Sequence, residues 1–305
     1  MKRYSLGKVY RRDQPALSRG RLRKFWQAEF DITCSGGDDS SNMVADAEVL
    51  RVVGEVFDTL DLGPGLRAVI RINHRNVLEG IFAVAGVEDK KIKGVSSAVD
   101  KLDKISWKEV WREIVEEKGI PEDVADRVGS YVAMSGELRD MIERLRREDD
   151  GALAKNEKVK AGLKDMALLA ECLEALGVID KVSFDLSLAR GLDYYTGVTF
   201  EVVVARPGGR EGRQENNSSP VSSLASQVGS IAAGGRYDNL VGMFGKRQMP
   251  CVGVSFGVER IFTILNARQE KTFRREMDVY IMAGSRGSTG ANGGDDDDTG
   301  GGSED

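Results

Sequence analysis

Three short segments of this sequence gather the side chains that can do chemistry. The first runs YRRDQP and, after a few residues, RGRLRKFWQAEFD. It places Arg11 at the end of an alternating stretch, ahead of Arg19, Arg21, Arg23 and Lys24. Guanidinium groups pair with phosphate oxygens two at a time, so a row of them suits a polyphosphate. The same row also suits a solvated basic hairpin. The second segment is LARGLDYYTG, in which Arg190 leaves a strand just before Gly191, and Tyr194 and Tyr195 follow. Tyrosines offer an apolar body with a hydroxyl tip, useful in a pocket or in a core. The third pairs SIAAGGRYDNLVGMF with CVGVSFGVERIF. Gly234 and Gly235 permit close backbone approach to a ligand or a tight turn. No Gly-Lys-Ser/Thr follows, so this is not a Walker loop.

What is scarce also narrows the chemistry. His74 is the only histidine, which leaves little room for a histidine-rich zinc site or a serine–histidine–aspartate triad. Cys34, Cys172 and Cys251 have no metal-ligand spacing and read as reduced thiols. No metal site in the protein is expected, although one built of carboxylates alone stays open. The net charge is −5, so bulk charge gives no support for nucleic-acid binding. The charge is uneven, with a basic start and a run from Asp295 to Asp298. Apolar residues make up 41% and charged residues 30%, as in a soluble globular protein. No apolar run approaches membrane-spanning length, so no membrane partner is expected and a cytoplasmic location is the default.

These residues need positioning elements, and periodicity supplies them. Residues 4–12 and 25–32 read as strands. In FWQAEFDI, Phe25, Gln27, Glu29 and Asp31 share one face, while Trp26, Ala28, Phe30 and Ile32 share the other. Gln27 and Asp31 then stand about 13 Å apart along one face. A buried carboxylate such as Asp31 would need a partner. A helix capped near Asn42 carries Leu50, Val53, Phe57 and Leu60, and RAVIRIN reads as a strand ahead of a helix over 76–85. Residues 96–176 read as almost wholly helical. Trp107, Trp111, Ile114 and Val115 form a core stripe there, stopped by Gly119 and Pro121. Strands return at SFDLSLA, GVTFEVVVA, QVGSIAAG, CVGVSFG and DVYIMA, with a helix starting near Gly257. The stretch from Arg206 to Ser226 reads as a flexible hairpin loop, and everything after Ala283 as disordered. The pattern is α+β: a largely antiparallel sheet with flanking helices and a helical insertion.

Taken in order, the motifs resemble the eukaryotic-type histidine–tRNA ligase family of class II aminoacyl-tRNA synthetases. YRRDQP through FWQAEFDI resembles class II motif 2, and GVSFGVERIF resembles motif 3. LARGLDYYTG and SIAAGGRYDNLVG resemble the two histidine-specific motifs. INHRNVLEGIFAVAGV and SSAVDKLDKISW resemble the family's linking regions. The resemblance covers roughly residues 2–283.

The resemblance implies ATP-dependent conversion of L-histidine to histidyl-adenylate and its transfer to tRNA(His), by a homodimer. Mg2+ would arrive on the nucleotide. Arg11 and Arg190 would be catalytic, both at the α-phosphate. Asp13, Arg21 and Arg260 would join Arg11 in holding ATP. Gln27 would meet the α-amino end of histidine, Asp31 and Tyr195 the imidazole nitrogens, and Tyr194 would line the pocket. Arg11 and Arg190 would also touch histidine, with Gly234 and Gly235 as pocket backbone. The implied organisation is a partial core with motif 2 over 1–95, a helical insertion over 96–176 and a second core part over 177–270. The start of an anticodon-binding domain follows over 271–283, and an acidic Gly-rich tail over 284–305. Motif 1 and an acidic-Leu-Thr segment have no counterpart here, so an incomplete, impaired fragment is expected. The alternative is a catalytically silent regulatory or tRNA-sensing relative of the same fold. Mitochondrial sharing stays open beside the cytoplasmic reading.

Overall fold

The computed structural model describes residues 1–12, 14–15, 21–34, 43–63, 65–205, 228–245 and 248–269. It opens on a two-stranded ribbon. Strands β1 (Lys2–Tyr10) and β2 (Lys24–Thr33) pair antiparallel with Gly7 opposite Gln27. The alternation of FWQAEFDI holds: Gln27 is 7% exposed on one face and Ile32 is buried on the other. Helix α1 (Val44–Leu60) follows and buries Leu50, Val53 and Phe57 at helical spacing. Its expected cap, Asn42, lies outside the described residues. At the helix entry Met43 takes a left-handed conformation and offers no side-chain cap.

Strand β3 (Arg67–His74) runs straight into α2 (Arg75–Ala85). The single histidine makes that junction. His74 Nδ1 accepts from the Asn76 backbone N–H at 3.1 Å, capping the helix. Helices α3 (Asp89–Val99), α4 (Trp107–Arg112) and α5 (Glu122–Val132) come next. Ser106 and Glu109 cap α4 reciprocally, which explains where the tryptophan stripe starts. Trp107 and Trp111 pack against the hydrophobic core, and the Trp111 indole N–H donates to Asp126 at 2.9 Å.

The stretch 96–176 is almost wholly helical, with one strand the sequence did not announce. Ser135–Glu137 forms a short strand, β4, before α6 (Leu138–Arg147), α7 (Ala152–Lys155) and α8 (Glu157–Ala175). Three residues, Ser-Gly-Glu, carry no alternation to read, so pairing rather than propensity makes the strand. Its partner is β5 (Val182–Asp185), with Gly136 opposite Phe184. The SFDLSLA strand is correspondingly shorter than expected. Asp185 Oδ1 accepts from the Ser187 backbone N–H at 2.8 Å and turns the chain out of the sheet.

Strands β6 (Val198–Ala205), β7 (Ala232–Arg236) and β8 (Cys251–Gly257) complete the sheet, and α9 (Val258–Gln269) closes the described chain. The eight strands among the described residues lie in the order β1-β2-β8-β7-β6-β3-β5-β4. Among the described residues only β3 and β5 pair in parallel. Helices α1, α2 and α8 pack together over a single apolar core that includes Leu50, Ile72, Phe82, Met166, Phe184 and Phe200. Met1–Lys271 forms one compact unit. The segment from Arg206 to Ser226, the DVYIMA stretch and everything after Ala283 lie outside the described residues. Among the described residues Cys34, Cys172 and Cys251 form no disulfide. No described helix is long and apolar enough to cross a membrane.

Candidate active site

The sheet order explains how distant segments meet. Register sets Gln27 opposite Gly257, Glu29 opposite Ser255 and Asp31 opposite Gly253 on β8. Strand β7 lies on the far side of β8, with Gly235 opposite Gly253. Two cavities open against these strands. The larger, about 300 Å³, is lined by Arg11, Arg21, Gln27, Arg190 and Arg260, with Ser230 and Ser255 among its walls. The smaller, about 180 Å³, is lined by Asp31, Tyr237, Leu240, Gly234 and Gly253. Tyr194, Tyr195, Ala233 and Ser255 line both, so the two are neighbours. A roomier cavity of about 680 Å³ lies by Phe57, Leu62, Arg67 and Lys181 and contains none of the expected residues.

Nearly every expected residue falls in this pair. Arg11, Arg21, Gln27, Arg190 and Arg260 line the larger cavity, Asp31 and Gly234 the smaller, and Tyr194 and Tyr195 both. Gly235 lines neither. A Cβ there would sit 2.8 Å from a ring carbon of Tyr195, so Gly235 makes room for that ring. Asp13 lies outside the described residues.

Polar contacts fix the larger cavity. Arg11 Nη2 donates to Gln27 Oε1 at 3.2 Å, and Gln27 Nε2 donates to Ser255 Oγ at 3.1 Å and to Glu29. The Arg11 guanidinium stacks 5.2 Å over the Phe25 ring. Arg260 donates to the Ser230 carbonyl. Arg190 Nη1 donates to Glu201 Oε2 at 2.7 Å and to Ser230 Oγ at 3.1 Å. Its Nε reaches Asp100 at 3.2 Å and its Nη2 reaches Asp103 at 3.4 Å. Burial alone would pull the Arg190 pKa down, but Glu201, Asp100 and Asp103 outweigh it and hold it raised. Arg190 is therefore a permanent cation at a polar cavity wall, suited to a phosphate.

The smaller cavity has the opposite character. The Tyr237 hydroxyl donates to Asp31 Oδ1. Burial pushes the Tyr237 pKa up, and the hydrogen bond to Asp31 adds to this. Burial likewise raises Tyr195, with Tyr194 contributing. Both hydroxyls stay protonated at neutral pH, as donors that can also accept. The Tyr195 ring sits where two glycines leave space. Gly191 has φ +74°, and a Cβ on it would lie 2.2 Å from the ring. A carboxylate facing a tyrosine across a small pocket can bind a ring with two nitrogens.

Several contributors escaped the motif reading. Tyr237 sits inside GGRYD but was read only for its glycines. Glu201 carried a usable signal, since a carboxylate in the apolar run GVTFEVVVA must find a cation. Asp100 and Asp103 lie in DKLDK, where nothing local distinguishes them from solvated charges. Gly253 faces Asp31, and a Cβ there would meet Asp31 Oδ1 at 2.1 Å.

A broad, almost wholly antiparallel sheet with flanking helices and an arginine-lined cavity against β2, β7 and β8 is the core of a class II aminoacyl-tRNA synthetase. The family profile described as histidyl-tRNA synthetase matches residues 2–261. The cytoplasmic histidine–tRNA ligase of Takifugu rubripes is 45% identical over 292 residues, 94% of this chain and 54% of that protein. The mitochondrial histidine–tRNA ligase of Saccharomyces cerevisiae is 48% identical over 279 residues, 88% of this chain and 49% of that protein. Among solved structures, the histidyl-tRNA synthetase of Nostoc sp. PCC 7120 superposes with a TM-score of 0.68 at 29% identity, over 89% of this chain and 54% of that one. This chain belongs to the histidyl-tRNA synthetase family. It spans about half the length of the curated relatives it matches.

Proposed function

We propose that the paired cavities bind ATP and L-histidine side by side and that the protein is a histidine–tRNA ligase. One observation supports this above the others. The cavity with four arginines adjoins the cavity with Asp31 and Tyr237, and Tyr195 lines both. A triphosphate and an imidazole joined through a carboxylate would need that arrangement.

In this reading the histidine carboxylate attacks the α-phosphorus of ATP. A new oxygen–phosphorus bond forms, the bond to the bridging oxygen breaks, and pyrophosphate leaves. Arg11 and Arg190 meet the charge that builds on the α-phosphate oxygens, and Arg21 and Arg260 hold the nucleotide. Asp13 belongs to the adenine end, and Mg2+ comes with the nucleotide. Gln27 takes the α-amino end, Asp31 and Tyr195 take the ring nitrogens, and Tyr194 and the Gly234 backbone close the walls, with Gly235 making room for the Tyr195 ring. Transfer follows when the terminal ribose hydroxyl of tRNA(His) attacks the histidyl carbonyl and AMP departs. A homodimer is part of the proposal. Tyr4, Leu6 and Tyr10 are exposed along β1, an apolar row that a second subunit would cover. A cytoplasmic location completes it. The test is ATP–pyrophosphate exchange: exchange that depends on L-histidine, and not on other amino acids, is expected. Exchange indifferent to histidine would overturn the reading.

A further inference from the structure

Arg190 is gripped from behind by a residue that does not line the cavity. Glu201 is 1% exposed and divides its two oxygens between two arginines. Oε2 accepts from Arg190 Nη1 at 2.7 Å, and Oε1 accepts from Arg71 Nη1 at 2.8 Å. Arg71 stands directly opposite Glu201 across the β3–β6 ladder. It is fastened on its other sides by Asp185 at 2.8 Å, Asp103 at 2.9 Å and Ser187 at 2.9 Å. Arg71 does not line the larger cavity either. The remaining carboxylate contacts of Arg190 differ in kind. Asp100 and Asp103 are about one-third exposed, and their bonds to it are 3.2 and 3.4 Å long.

An arginine side chain has four rotatable bonds and loses much freedom when it is placed. A short charge-assisted bond out of water fixes geometry better than longer bonds at a wet surface. A carboxylate with both oxygens committed cannot swing away without also breaking its bond to a second arginine. Arg71 thus acts as the counterweight that keeps Glu201 in place.

We infer that Glu201 is the positioning residue that sets the Arg190 guanidinium, with Arg71 as its anchor. This rests on the histidine-activation reading above for its consequence, although not for the clamp itself. The clamp is read by arginine-selective nitrogen NMR of the guanidinium groups. Hindered rotation gives separate Nη1 and Nη2 signals for Arg190, assigned by their loss in Arg190→Lys. In Glu201→Gln those signals are expected to merge toward an average. Averaged Arg190 signals in the unaltered protein, or unchanged signals in Glu201→Gln, would overturn the clamp.

The consequence is read by histidine-dependent ATP–pyrophosphate exchange. Glu201→Gln is expected to lower kcat about thirtyfold and to leave KM for ATP within about threefold. Arg71→Lys keeps the charge but loosens the anchor. It is expected to lower kcat about fivefold, an effect that passes through Glu201 and Asp103, the two carboxylates the arginines share. Melting temperatures within a few degrees of the parent separate this from loss of fold. Merged signals with unchanged kcat would overturn the positioning role. A clamp seen by NMR in a protein without histidine-dependent exchange would instead remove the histidine-activation reading.

Discussion

Arg190 and Arg236 are both central to signature segments of this chain, yet the protein treats them differently. Arg236 is 3% exposed and is shut in by carboxylates: its Nη1 reaches Asp238 at 3.3 Å, while Asp46 takes Nε at 3.1 Å on one oxygen and Nη2 on the other. The bond to Asp46 ties β7 to the first turn of α1. The backbone beside it carries the site, since the Arg236 carbonyl accepts from Thr196 at 2.8 Å and Tyr237 reaches Asp31. Arg190 is 30% exposed and shares its network with Arg71, so two arginines face Asp100, Asp103, Asp185 and Glu201. A cation closed in by its own carboxylates specifies architecture and does little else. An open cation held by a buried carboxylate is presented for use.

Substitution of each arginine is the strongest way to break this comparison. Arg236→Met strands the buried Asp46 carboxylate and is expected to cost about 3 to 5 kcal/mol in urea unfolding. Arg190→Ala is expected to cost about 1 kcal/mol or less, since Glu201 keeps Arg71. The same Arg190→Ala protein is expected to lose histidine-dependent exchange about a thousandfold or more. Equal losses of stability for the two would erase the distinction.

The glycines around Asp31 sharpen it. Gly253→Ala puts a Cβ 2.1 Å from Asp31 Oδ1, an end that can move, while Gly234→Ala puts one 2.1 Å from the Gly253 carbonyl oxygen, which cannot. Gly253→Ala is expected to raise KM for histidine about ten- to a hundredfold with modest loss of stability. Gly234→Ala is expected to lower the melting temperature by several degrees. Tyr237→Phe removes one hydrogen bond to Asp31 and is expected to raise KM for histidine about fivefold.

The smallest expected effect lies behind Tyr195. Arg75 donates to the Tyr195 carbonyl at 2.8 Å and to Glu79 at 2.7 Å, and Lys158 donates to Glu79 at 2.9 Å. Burial would raise the Glu79 pKa, but Lys158 and Arg75 together bring it below the ordinary value. A depressed folded pKa means stability that is present above the unfolded value and lost as pH falls through the folded one. Glu79→Gln should therefore cost roughly 0.5 kcal/mol at pH 7 and nothing once the medium is well below about pH 4. A deficit that persists in acid would count against the tie.

Much of this was open to a reader of the sequence, and the exceptions have physical causes. The alternation in FWQAEFDI assigned Gln27 and Asp31 to one strand face, because period two survives any tertiary context. The motifs identified Arg190, Tyr194 and Tyr195 with their neighbours in the chain. What they could not convey was the company Arg190 keeps. Asp100, Asp103 and Glu201 lie 90, 87 and 11 residues from it along the chain. Their pairing depends on strand order, which no local pattern encodes. Strand β4 was missed for a related reason, since Ser135–Glu137 is extended only because β5 offers a partner. The glycines of SIAAGGRYD suggested close approach to a ligand. Gly234 does line a cavity, but Gly235 yields its space to the Tyr195 ring.

The central claim is that adjoining cavities hold an imidazole and an adenylate phosphate at once. A non-hydrolysable histidyl-sulfamoyl adenosine would fill both, and calorimetric titration of the protein reads its affinity directly. Tight binding is expected, weakened at least about a hundredfold when alanine replaces histidine in the compound. It should weaken comparably in Asp31→Ala with the histidyl compound, and hardly further when the alanyl compound meets that variant. Equal affinity for the histidyl and alanyl compounds in the unaltered protein would contradict the account.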